Sequence, residues 1–240
     1  MQKRFTETFF WKNYLNSASL DHKFDKDARF RCVTDAVMLY DFLLNHNVKN
    51  CLQIGCKQGL TSLLVTDVNS EIEIIDIDIN DEIDFYKKII DNENHRFIHC
   101  DSTKVDYTKI QKQDLIIIDG AKEKNILTLD LNNSINLAHS ESTIMLNYSG
   151  LEDDMLPVAR KIFTNNDFVP ILQGHQLEIY RHASIDNSTY LDGLFESSLS
   201  NFLYINMCTI EDHQTVTIKG LSCINNSYHL ANKILQFYQI

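Results

Sequence analysis

Between Cys51 and Tyr148 short apolar runs alternate with longer amphipathic stretches, and this alternation limits the fold more than any other feature of the chain. "CLQIG" (51–55) reads as a buried strand, "LTSLLVTDV" (60–68) as a helix, "EIEIIDID" (71–78) as a strand, "DEIDFYKKIIDN" (81–92) as a helix and "HRFIHC" (95–100) as a strand. "DLIIIDG" (114–120) is a fully apolar strand, followed by a helix from Lys124 to Leu137 and a strand "TIMLNY" (143–148). Strands joined by helices make right-handed crossovers, which places the strands parallel in one sheet with helices on both faces. The expectation is an α/β, doubly wound, mostly parallel seven-stranded sheet.

The rhythm changes after the helix "EDDMLPVARKIFTN" (152–165). In "FVPILQGHQLEIYRH" (168–182) two strands are separated only by a turn around Gly174, too short for a crossover, so they must run antiparallel. Upstream, Val33, Val37, Tyr40 and Leu44 form one stripe of an amphipathic helix expected over Arg31 to His46. The chain therefore divides into an N-terminal helical segment (1–30), a core domain (31–182) and a C-terminal α+β extension (183–240). The extension matches nothing familiar, and a substrate cover, a homodimer contact and an edge of the sheet all stay open as its role.

Composition excludes several function classes. The formal charge is −11, from 22 basic and 33 acidic side chains, without a Lys/Arg cluster interleaved with aromatics, so nucleic acid is not expected as a partner. No apolar run approaches the roughly 18 residues that cross a bilayer, and polar residues interrupt "MQKRFTETFFWKNYLNS" (1–17), so no membrane association is expected and the location is read as cytoplasmic. The six cysteines form no C-x-x-C pair and read as reduced, mostly buried thiols. His95 and His99 share one face of a strand, but no second ligand pair answers them, so they read as structural.

In an open α/β sheet, ligands sit beyond the carboxyl ends of the strands where strand order reverses. At the first such end, Gly55 and Gly59 let the backbone approach a ligand, and the following helix offers free N–H groups. They also suit a plain tight turn. Asp76 stands 21 residues beyond Gly55, the spacing at which an acid reaches a ribose diol, with Asp78 as its competitor. Asp101 and Ser102 follow the third strand and could bond an adenine edge, although Asp101 also suits a helix N-cap. Asp119 and Lys122 project from "IDGAK" toward whatever reacts.

Taken together, residues from about Thr34 to His182 resemble class I S-adenosylmethionine-dependent methyltransferases. "LQIGCKQGLTS" resembles the family's E-I-G-x-x-x-G-x-S motif, in which a bulky residue at the position of Lys57 is tolerated. "DLIIIDGAK" and "TIMLNY" resemble the D-L-I-F-I-D-A-x-K and I-V-x-D-N stretches of small-molecule O-methyltransferases of the catechol and caffeoyl-CoA type. The resemblance implies S-adenosylmethionine as cofactor, a small-molecule acceptor, and a cofactor site drawn from Gln53, Gly55, Cys56, Lys57, Gly59, Thr61, Asp76, Ile77, Asp101, Ser102 and Asp119. It further implies that Lys122, with Asp119, serves the acceptor as base or orienter, and that Asp119 and Asn147 stand where that family binds a divalent metal.

Three departures are visible. Gln53 replaces the motif's acid, Leu146 replaces the second acid of the metal-binding pair, and "HSEST" (139–143) replaces a Gly-Gly turn. A hard cation needs more oxygen ligands than one aspartate and one asparagine, so no metal site is expected. Two other readings share these residues. Aminopropyl or aminobutanoyl transferases resembling spermidine synthase also carry an "LQIG" strand and an "RFIH" run, and a degenerate fold retained for binding alone would explain the departures.

Overall fold

The computed structural model describes residues 26–57, 59–81, 93–147, 151, 155–173 and 177–185, apart from the side chains of residues 26–34, 37, 172 and 173. The expected helix over 81–92, almost all of the C-terminal extension and most of the N-terminal segment lie outside the described residues. Numbered in chain order, the elements are α1 (Lys26–Asn45), β1 (Asn50–Ile54), α2 (Leu60–Val68), β2 (Glu73–Asp78), β3 (His95–His99), β4 (Gln113–Ile118), α3 (Lys124–Leu137), β5 (Ala138–Asn147), α4 (Met155–Thr164), β6 (Phe168–Gln173) and β7 (Leu177–His182). Two short 3-10 turns, Ser102–Lys104 and Tyr107–Lys109, lie between β3 and β4.

The strands form one seven-stranded sheet in the order β3-β2-β1-β4-β5-β7-β6. β1 pairs parallel with both β2 and β4, and the parallel pairing extends to β3 on one side and β5 on the other. β7 runs antiparallel to β5 and to β6, as the short connection around Gly174 requires. The chain winds outward from β1 to β3, then returns to lay β4 against the other edge of β1. The direction of winding therefore reverses between β1 and β4, which fixes the crevice at their carboxyl ends.

Period-two alternation divides the apolar residues between two cores. Leu115, Ile117 and Met145 pack with Phe42, Leu43 and Leu64 on the α1/α2 face, whereas Ile116, Ile118 and Leu146 pack with Leu127, Leu131 and Phe163 on the α3/α4 face. Each such side chain contributes about 1.5–3 kcal/mol on full burial, which is why an uninterrupted apolar strand such as β4 must sit in the middle of the sheet.

Where a Gly-Gly turn was missing, the chain uses side-chain bonds instead. β5 begins directly at Ala138, earlier than the expected start at Thr143, and its register with β4 shifts between the Gln113 and Leu115 pairings. Ser142 Oγ donates to the Gln113 carbonyl at 2.6 Å and accepts the His139 N–H at 2.7 Å, while His139 Nε2 bonds Asp114 Oδ1 at 3.0 Å. Asp114 also accepts the N–H groups of Lys49 and Asn50, so this end of the sheet is stitched far from the crevice. Among the described residues no helix is long and apolar enough to cross a membrane.

Candidate active site

β1 ends in a turn that is left-handed at three positions: Gly55 (φ 83°), Lys57 (φ 48°) and Gly59 (φ 78°). Gly59 caps α2 and puts the N-terminus of that helix at the crevice. The turn is strapped on both sides, because Gly55 N–H donates to the Ile77 carbonyl and Asp119 N–H to the Ile54 carbonyl, each at 2.8 Å. Gln53, at the position of the motif's acid, is buried and braces the turn from beneath: its Nε2 donates to the Gly55 carbonyl at 3.1 Å and its Oε1 accepts Ser62 Oγ at 2.8 Å. Cys56 is also buried; burial first, then Asp76 and Asp78, pushes its thiol far above the usual range and leaves it inert. Thr61 lies half-buried on the first turn of α2, and Lys57 is exposed.

The second strand end requires a correction. Asp76 does not face the crevice: it is fully buried in mid-strand, where its carboxylate accepts Ser62 Oγ at 2.9 Å and bonds His95 Nε2 at 3.0 Å. The acid at the end of β2 is Asp78, whose Oδ2 accepts the Lys57 N–H at 2.6 Å and whose Oδ1 accepts the Asn80 N–H at 2.8 Å. Ile77 is likewise misplaced, at 1% exposure inside the α3/α4 core, while Ile79 just past the strand is 63% exposed. Both corrections have one cause. The strand ends at Asp78, as expected; the 21-residue spacing from Gly55 points to Asp76 instead, and spacing alone does not separate residues two apart on one face.

The third strand end lies beside the second, with Cys100 N–H donating to the Asp78 carbonyl at 2.9 Å. Asp101 caps the 3-10 turn, accepting the Thr103 N–H at 3.0 Å and Thr103 Oγ1 at 2.8 Å; these bonds hold its carboxyl below the usual range. Ser102 follows, half-buried. His95 is spent on Asp76 and His99 on the Ile79 carbonyl, at 3.0 Å each, in keeping with structural histidines.

At the fourth end, Lys122 Nζ donates to Asp119 Oδ1 at 3.3 Å and to the Asn147 carbonyl at 3.0 Å. This joins the loops after β4 and β5. Burial raises the Asp119 carboxyl above its usual range, with Lys122 foremost among the groups opposing the rise, then the Asn147 side chain and Lys57. The ends of β1, β4 and β5 thus converge around one carboxylate and two ammonium groups.

No family model matches this sequence, and neither does any curated protein. Solved structures do. The N-methyltransferase NodS from Bradyrhizobium japonicum WM9, in complex with S-adenosyl-L-homocysteine, matches with a TM-score of 0.51 at 14% identity, over 71% of this chain and 98% of that one. Precorrin-6y C5,15-methyltransferase from Geobacter metallireducens GS-15 matches with a TM-score of 0.50 at 14% identity, over 61% and 85%. Cofactor-bound Rv0187 from MTB gives 0.50 at 11% identity, over 73% and 90%. The chain has the class I methyltransferase fold.

Within this methyltransferase fold, the residues beside Asp119 do not fit a divalent cation. Leu146, where a second acid would stand, is fully buried in the α3/α4 core, and Asp119 Oδ1 is engaged by Lys122. Among the described residues no group of three His, Cys, Asp or Glu side chains could hold a metal ion. Beyond the end of β2 the residues that lie toward the crevice are Asp78, which the sequence left as the competitor of Asp76, and Ile79, which it did not single out.

Proposed function

We propose that this chain is an S-adenosylmethionine-dependent methyltransferase acting on a small-molecule acceptor, with O-methyl transfer favoured over other acceptor atoms. One observation carries the reading: at the point where strand winding reverses, a left-handed glycine turn is tied through Lys57 to Asp78 and through Ile54 to Asp119. These residues fit an adenosyl group. The turn from Gly55 to Gly59 presents backbone and a helix N-terminus to the amino-acid end of such a ligand, Asp78 presents a carboxylate to the ribose diol, and Ile79 offers an exposed apolar surface to the base beside Asp101 and Ser102.

When bound, S-adenosylmethionine supplies a methyl group on a sulfonium, a leaving group that needs no further activation. What remains for the protein is to align the acceptor and manage one proton. Lys122, fixed between Asp119 and the Asn147 carbonyl, points its remaining donor capacity toward an acceptor oxygen and orients it. Asp119 holds that ammonium in place and is the nearest carboxyl to receive the departing proton; its raised pKa makes it a better base than an ordinary aspartate. The acidic chain as a whole argues against a nucleic-acid acceptor.

The test is a thermal shift with S-adenosylhomocysteine, followed by mass spectrometry of small acceptors incubated with protein and S-adenosylmethionine. Ligand at 100 times its dissociation constant stabilises by about 2.7 kcal/mol, a readily measured rise in melting temperature. No shift would sink the cofactor assignment. A product heavier by an aminoalkyl arm instead of one methyl would replace the reaction.

A further inference from the structure

Asp130 has no place in the site as built so far. It lies on α3, fully buried, and neither carboxyl oxygen has a partner at full hydrogen-bond geometry; Ser102 is the one hydroxyl that acts on it. Tyr107 Oη and Ser134 Oγ are buried and unpartnered as well. Ser134 is one turn further along the same face of α3, and the Tyr107 hydroxyl is pushed up by burial and next by Asp130. α3 packs against the 3-10 turn that carries Ser102, the polar side chain acting on Asp130. On the opposite side, a Cβ placed on Gly120 would stand 3.5 Å from Asp130 Oδ2. Asp130 is therefore wedged between two loops of the crevice, one bearing Asp101 and Ser102, the other Asp119 and Gly120.

Buried polar groups without partners are rare and unfavourable, and here they gather at one point behind the proposed nucleoside end. We propose that Asp130 is a positioning residue: an adenosyl ligand seated on the Asp101–Ser102 loop tightens that loop against α3, which it already touches, so that the Ser102, Tyr107 and Ser134 hydroxyls donate to the Asp130 carboxylate and lock the loop against Gly120. This rests on the adenosyl reading given above.

A proton is coupled to the closure. Burial raises the Asp130 carboxyl to about 6, with Ser102 offsetting part of the rise and Asp101 adding to it. Other charges on the elements around α3 are placed elsewhere: Lys104 pairs with Asp101, Arg160 of α4 with Glu178, and Asp114 of β4 with His139 of β5 at the far end of the sheet. Lys161 of α4 and Glu141 of β5 are exposed. Three hydroxyl donors return the carboxyl toward its ordinary range, so closure releases a proton and the ligand binds more tightly as pH rises through about 6.

Isothermal titration of S-adenosylhomocysteine between pH 5 and pH 7.5 tests this on the full chain. Wild type should bind about tenfold more tightly at pH 7 than at pH 5, with proton release at pH 5 seen in the buffer dependence of the heat. Asp130→Asn should remove that dependence, and Tyr107→Phe should weaken binding severalfold at pH 7 while sparing it at pH 5. A slope that survives in Asp130→Asn belongs to other groups, such as the raised carboxyl of Asp119 beside Gly120, and overturns the proposal. Melting of the ligand-free proteins gives an independent readout. The folded carboxyl keeps its proton to a higher pH than the unfolded one, so its stabilisation is complete below about 3.8 and lost as pH rises through about 6; wild type should melt progressively lower than Asp130→Asn across that window. Parallel melting curves would also overturn the proposal. If the melting difference is present but neither protein binds S-adenosylhomocysteine at any pH, the adenosyl reading fails and takes the positioning role with it.

Discussion

Gly55 and Gly120 meet backbone to backbone: a Cβ on Gly55 would stand 2.4 Å from the Gly120 Cα and 2.5 Å from the Asp119 carbonyl oxygen. The turn after β1 and the loop after β4 touch only because residue 55 has no side chain. Gly55→Ala must therefore push the Asp119 loop outward and also hold alanine at φ 83°. The left-handed conformation costs roughly 1–2 kcal/mol and the steric overlap roughly 1–3 more. Chemical denaturation should show a loss in the range of about 2–5 kcal/mol, together with loss of S-adenosylhomocysteine binding.

Asp78 and Asp76 should separate binding from stability. Asp78→Ala removes the strand-end carboxylate and should weaken S-adenosylhomocysteine at least tenfold by calorimetry; freeing the Lys57 and Asn80 N–H groups should cost about 1–2 kcal/mol of stability, less than the loss expected at Asp76. Asp76→Ala strips Ser62 and His95 of their shared buried partner. It should cost about 2–4 kcal/mol of stability in urea titrations. The opposite pattern would return the ribose role to Asp76.

Lys57 is a non-glycine residue in the left-handed region, held by its N–H bond to Asp78. Lys57→Gly keeps that bond and removes the steric cost, so the melting temperature should rise by the equivalent of about 1 kcal/mol. Since Lys57 also opposes the rise of the Asp119 carboxyl, the same variant should move the acid limb of the activity profile to higher pH.

Lys122→Met should cut kcat by two orders of magnitude or more with S-adenosylhomocysteine affinity intact, as expected of a residue that touches the acceptor alone. Burial already places the Asp119 carboxyl above its usual range, and Lys122 is the main group opposing that. Because the folded carboxyl is raised, any stability it lends is present below the ordinary aspartate range and lost as pH rises through the raised value; Asp119→Asn should therefore be at least as stable as wild type at pH 7. The acid limb of wild-type kcat/KM should lie above the ordinary aspartate range.

A chelator should leave turnover unchanged. Lys122 already supplies the positive charge at Asp119, and Leu146 offers no oxygen. Loss of activity in EDTA, restored by Mg²⁺, would refute this.

The sequence by itself determined the order of elements, the parallel core with its antiparallel hairpin, and the place of Asp119 and Lys122 at a strand end. It could do so because apolar runs such as "LIII" and a connection as short as that around Gly174 leave one physical solution. Only the tertiary structure separated Asp76 from Asp78: they share a face of β2, but Asp76 is taken up by Ser62 and His95 whereas Asp78 ties down the turn after β1. It alone showed Gln53 bracing the turn, and Ser142 and His139 standing in for a glycine turn. Asp130 was beyond sequence reasoning altogether: an acid on an amphipathic helix reads as solvated until the neighbouring loops close over it and remove the water that would have carried its charge.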